Sequence, residues 1–230
     1  MKQVINIAID LETLSLESDA AIVAIAAVPF NPYGSVEGYI DVFDVNAGRV
    51  GETLGSFYEV VNATSCALAG MNIDMETVKW WSNQDEEAKA ELLTREPMNI
   101  GAAMNAFHNY LESIVNAHNA EIVIWAQGGD FDFPILTNAY RKVMKGSKLP
   151  WNYRDKRDAR SIVLDTLERL YGREKNPYDR IPEMPFAEKF VKHSAYCDAH
   201  RTAWSVAYVH SLCQNTSVPA TSATTPKSSE

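Results

Sequence analysis

Val4-Ile5-Asn6-Ile7-Ala8-Ile9-Asp10-Leu11-Glu12-Thr13 decides how this chain is read. The run is apolar at most positions and ends in two carboxylates with one leucine between them. A β-strand sends alternate side chains to opposite faces, so Asp10 and Glu12 share a face, roughly 6–7 Å apart along the strand. Two like charges on one face of an apolar strand repel and lose solvation, so a cation is needed to hold them together. Hard divalent ions, Mg²⁺ or Mn²⁺, prefer oxygen ligands and suit the pair. The plainer alternative ends the strand near residue 9 and leaves both acids in water. An isolated D-x-E does not choose between the two.

Outward from this strand, a polar connection over 15–19 leads to a second apolar run, 20–30, stopped by the turn cluster Asn31-Pro32-Tyr33-Gly34. Residues 36–45 alternate well enough to pair with it as a hairpin. Residues 46–72 lack a period and read as loop with at most one short element. Short helices are expected over 74–81, capped by Asp74, and over 85–93. A longer one over 100–117 carries the stripe Ala103, Phe107, Tyr110, Leu111 and Ile114. Residues 121–126 are a buried-strand signal. A helix should start near Phe133 with Pro134 in its first turn, another should cover 158–171, and the last 195–213 behind a Ser194 cap. Strands first, then alternating helices and strands, predict an α/β domain over residues 1–213, with a central mixed β-sheet flanked by helices in three layers. The stretch 214–230, rich in Ser, Thr, Ala and Pro, reads as a disordered polar tail.

Composition bounds the function. At 230 residues and 46% hydrophobic content the chain can bury one large core. It has no run of about eighteen apolar residues, so no membrane partner is expected, and residues 1–4 lack a signal-peptide cleavage site. Cys66, Cys197 and Cys213 are spaced too widely for a zinc pattern or a disulfide framework, which predicts free thiols and a cytoplasmic location. The net charge of −9 argues against coating nucleic acid by bulk attraction. Between Arg141 and Arg160, however, eight basic residues face two acidic ones, a window of +6. That window is either a strip for phosphates or a solvated helix face.

Three further residues bear chemistry. Asp132 follows the Gly128-Gly129 pair at a helix entry, where an N-cap is the plain alternative. Asp198 lies in the first turn of the last helix. His193 lies five residues earlier, about 500° around a helix, so it belongs in the connection before Ser194 and approaches from the side. Singly, none compels. Taken in order, Asp10-x-Glu12, Phe131-Asp132 and His193-x4-Asp198 resemble the three-part signature of the DEDDh 3′→5′ exonucleases of the ribonuclease H-like superfamily. Stretches 77–84 and 125–136 further resemble exoribonucleases of the RNase AS type and phage exonucleases of the T4 exonuclease A type. The resemblance covers residues 4–213 apart from 46–72, with Gln127 standing where asparagine is usual.

The resemblance implies a ribonuclease H-like fold and two divalent cations, Mg²⁺ with Mn²⁺ as the alternative, held by Asp10, Glu12, Asp132 and Asp198. His193, with an ordinary pKa near 6.5, would take a proton from the attacking water. The implied activity is release of nucleoside 5′-monophosphates from single-stranded 3′ ends, RNA being expected ahead of DNA. A single-stranded DNA exonuclease of a phage is the first alternative and a non-catalytic nucleic-acid-binding module the second. Thr13 and Leu14 are expected at the terminal nucleotide, and Gln127, Arg157 and Arg160 at phosphate or base. Trp81, with Trp80, is expected to stack on bases, whereas Trp125, inside a strand, is expected in the core. Relatives of this kind imply a homodimer.

Overall fold

The structure, a computed structural model, describes residues 3–33, 55–184 and 190–215. β1 (Gln3–Thr13) stays extended through both acids, which removes the reading that ends it near residue 9. β2 (Ile22–Phe30) runs antiparallel to it, and β3 (Phe57–Val60) runs antiparallel to β2. On the other side of β1, β4 (Ala120–Ala126) is parallel, followed by β5 (Lys156–Asp158), also parallel. The order β3-β2-β1-β4-β5 puts the acid-bearing strand at the centre of an open mixed sheet.

Seven α-helices join these strands among the described residues. Three are short: α1 (Ala63–Leu68), α2 (Met75–Ser82), begun by the Asp74 cap, and α3 (Glu86–Glu91). The strand period then sorts the long ones into layers. Ile5, Ile7, Ile9 and Leu11 of β1 pack on one face against α4 (Ile100–His118) and α5 (Gly129–Val143), with Phe107 and Leu136 wholly buried between. On the opposite face lie α6 (Ala159–Tyr171) and α7 (Ala195–Asn215). There Ala8 and Trp125 meet Val163, Ala203 and Val206, while Ala24 and Ala26 of β2 meet Ala195 and Ala199. Alanine on both sides leaves no bulk to hold the first turn of α7 off the sheet. Asp10 and Glu12 follow Ala8 on that same face, so the period that builds the core also aims both acids at α7. This is the α/β, three-layer, ribonuclease H-like arrangement.

Two elements fall inside the window expected to be loop: β3 has four residues and α1 six, too few for either period to show. β5 was also unforeseen, three residues inside the basic window. α5 begins at Gly129 rather than near Phe133. The expected strand over 36–45 and the expected tail beyond 215 lie outside the described residues. Cys66, Cys197 and Cys213 form no disulfide with one another. No helix among the described residues is long and apolar enough to cross a membrane.

Candidate active site

The sheet prepares the site by ending unevenly. The β1–β4 pairing stops at Ile9 opposite Ala126, yet β1 continues to Thr13, and its register against β2 shifts between Glu12 and Thr13. The last four residues of β1 therefore lie beyond the end of β4. Into this opening come Asp198 from the first turn of α7 and Asp132 from the first turn of α5. Carboxylate oxygens of Asp10, Glu12 and Asp198 all lie within 4.8 Å of one another. Asp132 is buried at 4% exposure and is not part of that trio. Its carboxylate accepts the amide of Leu11, the residue between the two strand acids.

Asp132 does not cap its helix. The Gly129 amide that opens α5 donates instead to Asp158 Oδ2 at 2.6 Å, and the other oxygen of Asp158 accepts the Ser161 amide at 2.7 Å, capping α6. One carboxylate thus ties two helix starts together and leaves Asp132 free to reach β1. The turn requires glycine: Gly128 has φ +99°, and a Cβ there would fall 2.9 Å from the Arg160 guanidinium. That guanidinium donates in turn to the Gln127 carbonyl at 3.0 Å.

Crowding shifts the acids upward. Burial, then Asp198 and Asp132, pushes Glu12 up to about 8. Burial pushes Asp132 up to about 7 against the pull of its own and the Leu11 amides. Burial, then Asp132, Glu12 and Asp198, holds Asp10 well above the carboxylate range. Asp198 is raised by burial and restrained mainly by Arg201, its ion-pair partner three residues on. A buried, oxygen-only donor set whose members repel one another fits hard divalent cations.

A stability test follows from the direction of these shifts. Each carboxyl has a folded pKa above its unfolded value near 4, so between the two the native state binds more protons. Metal-free protein therefore loses stability as pH rises from about 4 to about 8. A cation that binds only the native site reverses this, by about 2.7 kcal/mol at a hundredfold excess over Kd, or roughly 5–10 °C in Tm. Scanning calorimetry with chelator or Mn²⁺ should show that gain at pH 8 and little of it at pH 5. Equal gains at both pH values would count against a carboxylate site.

His193 stands in the turn before α7 with φ +60°, in the left-handed region. Its backbone amide donates to Asp198. Its ring lies edge-on to Trp80 (4.8 Å between centroids) and Trp81 (6.5 Å). Burial first, then Lys192, lowers its pKa against the pull of Asp198. The ring is thus neutral at pH 7 and can accept a proton. The same turn is held by Ser194, whose hydroxyl donates to Glu91 of α3 at 3.0 Å.

Two cavities flank the acids. One, of about 360 Å³, is lined by Glu12, Thr13, Leu16, Trp80, Trp81 and Phe131 among others. The other, of about 670 Å³, is lined by Asp10, Gln127, Tyr178, Asp198, Arg201 and Trp204 among others. Thr13 sits in the first, its hydroxyl donating to the Ser15 carbonyl at 2.8 Å. Trp81 is buried there with its indole N–H given to the Thr13 carbonyl at 2.9 Å; the exposed indole is Trp80, at 43%. Leu14 packs on the core and lines neither cavity. Gln127 lines the second, its Nε2 donating to the Tyr178 hydroxyl at 2.6 Å. Arg157 and Arg160 line neither. Arg157, on the edge strand β5, donates to the carbonyls of Arg154 and Lys156, and Arg160 braces the Gly128 turn. Trp125 is in the core as expected, its indole N–H on Asn6 Oδ1 at 2.9 Å. Sequence reasoning missed Leu16, Tyr178 and Arg201. Only Arg201 left a signal, one helical turn after Asp198.

Residues 5–210 match the family model described as the 3'-5' exoribonuclease Rv2179c-like domain. The chain belongs to that family. It is a member of the DEDDh-like 3′–5′ exonuclease superfamily with a ribonuclease H-like fold. A curated relative, the exodeoxyribonuclease of Enterobacteria phage T4, is 26% identical over 141 residues, 60% of this chain and 56% of that protein. Among solved structures, the zinc-bound E. coli ExoI–ssDNA complex superposes with a TM-score of 0.52 at 13% identity, over 94% of this chain and 41% of that chain. The chain thus spans about half the length of these relatives, and the ExoI likeness carries the fold. The expectation of RNA ahead of DNA is corrected here. Although the family description names a ribonuclease, the T4 relative is named an exodeoxyribonuclease.

Proposed function

We propose that this protein is a divalent-cation-dependent exonuclease that removes nucleoside 5′-monophosphates from the 3′ end of single-stranded DNA. The observation that carries the reading is the meeting of Asp10, Glu12 and Asp198 oxygens within 4.8 Å, at the mouth of two cavities. Asp132 is the fourth acid, set beside Asp10 by the Leu11 amide. Two Mg²⁺ or Mn²⁺ ions held by these carboxylates would neutralise charge developing on the phosphodiester oxygens and make water acidic enough to attack at neutral pH. The chain's own residues do the rest. Neutral His193 takes the proton from the attacking water. Thr13, Leu16 and Trp80 offer the terminal nucleoside an apolar cavity with an exposed indole for its base. The catalytic unit is residues 1–213.

The test is cleavage of 5′-labelled single-stranded DNA and RNA of equal sequence, with Mg²⁺, Mn²⁺ or chelator. The expected result is a ladder shortening from the 3′ end, dependent on metal and faster on DNA. Faster loss of RNA would overturn the sugar assignment; no cleavage of either strand would move a binding module ahead of an enzyme.

A further inference from the structure

α7 presents a polar stripe to the larger cavity. Asp198, Arg201, Thr202 and Ser205 all line it, at the i, i+3, i+4 and i+7 positions that share one helix face. Gln127 and Tyr178 line the same cavity. Among the described residues lining either cavity, Arg201 is the one basic side chain. The +6 window contributes none: Arg157 donates to backbone carbonyls, Arg160 to the Gln127 carbonyl at the Gly128 turn, and Arg154 to the Tyr153 hydroxyl. A polyanion entering this cavity therefore meets one cation on its wall, beside Asp10 and Asp198.

We infer that Arg201 binds a backbone phosphate of the nucleic-acid strand in this cavity. Its side chain is 41% exposed, and its partner among the described residues is Asp198, through Nη1. Five N–H donors in a rigid fork leave several for a phosphate while that pair is kept. Gln127 and Tyr178 add a polar edge for the attached nucleoside. There Gln127 gives its Nε2 to the Tyr178 hydroxyl at 2.6 Å, which leaves that hydroxyl its own proton to donate. At about 670 Å³, the space is ample for one nucleotide. Arg201 so has two tasks, countercharge to Asp198 and phosphate anchor, and they predict opposite effects when it is removed.

The inference rests on the nuclease reading, and the experiment separates their failures. Fluorescence anisotropy of a labelled oligo-dT with Ca²⁺ in place of Mg²⁺ reports binding with turnover suppressed. Wild type, Arg201→Gln and Arg201→Lys are compared over a salt series, with Mn²⁺ affinity measured separately by calorimetry. Arg201→Gln should weaken oligo-dT binding about tenfold or more and lower the salt slope by about 0.7. It should also tighten Mn²⁺, because Asp198 loses its competitor. Arg201→Lys should restore the salt slope. Unchanged affinity and slope in Arg201→Gln, with Mn²⁺ tightened, would leave Arg201 a countercharge only and overturn the inference while the nuclease reading stands. Wild type that neither binds nor cleaves DNA would overturn both.

Discussion

Asp10→Asn will lower the cleavage rate about 10³-fold or more and, in the same protein, raise the melting temperature of the metal-free form. Asparagine keeps the shape and one oxygen but removes the charge. Asp10 is the acid repelled by all three others, Asp132 first, then Glu12 and Asp198. It also lines the larger cavity beside Asp198. Loss of one anionic ligand to catalytic cations forfeits several kcal/mol of transition-state stabilisation, and each 1.36 kcal/mol is tenfold in rate. The stability change has the other sign because three carboxylates repel less than four. That gain should vanish near pH 4 and grow toward pH 8, because the unfolded chain ionises these acids near pH 4 while the crowded native site resists it. Single-turnover cleavage and calorimetry in chelator read the two effects. A variant that lost both rate and stability would have been damaged in folding; one within tenfold of wild type would place the chemistry elsewhere.

The opposed signs have a structural origin that was partly legible in the sequence. That Asp10 and Glu12 share a face follows from a period of two, a local property, and the strand kept it to Thr13. Asp198 was readable as a first-turn carboxylate for the same reason. Asp132 was harder. Sequence offered a cap or a ligand, and what removes the cap is Asp158, twenty-six residues on, which takes the helix's opening amide. Such a pairing depends on where β5 lies in the sheet, and three residues of edge strand carry no period. The basic window stayed open, strip or solvated face, for a related reason. Composition counted its charge, but only the sheet order shows that β5 lies at the edge, away from β1. Arg201, a single cation one turn from Asp198, had no cluster to announce it. The choice of sugar was not legible either: it depends on contacts to a 2′-hydroxyl, and the three motifs name only the residues that meet phosphate and metal.

His193→Asn will reduce cleavage about 10²–10³-fold at saturating Mg²⁺, the usual loss for a general base, and will remove one limb of the pH–rate profile. Asparagine is the informative replacement because it tolerates the left-handed backbone that φ +60° imposes here. The amide that donates to Asp198 belongs to the backbone and survives the change. Lost activity will then report the ring alone. In the wild type the rate should rise with pH as His193 loses its proton. That limb should lie below the ordinary 6.5, since burial and Lys192 disfavour the imidazolium. The carboxylates produce a rising limb too, Glu12 from about 8 and Asp132 from about 7 before any cation binds. Metal competes with those protons, so their limb moves to lower pH as Mg²⁺ is raised. The histidine limb has no such dependence to first order, because the ring's partners are Trp80, Trp81 and the flanking charges rather than the ions. Profiles at several Mg²⁺ concentrations therefore separate the two, and only the metal-independent limb should be missing from His193→Asn. A variant that kept both the rate and that limb would remove His193 from proton transfer and leave its place against Trp80 as packing.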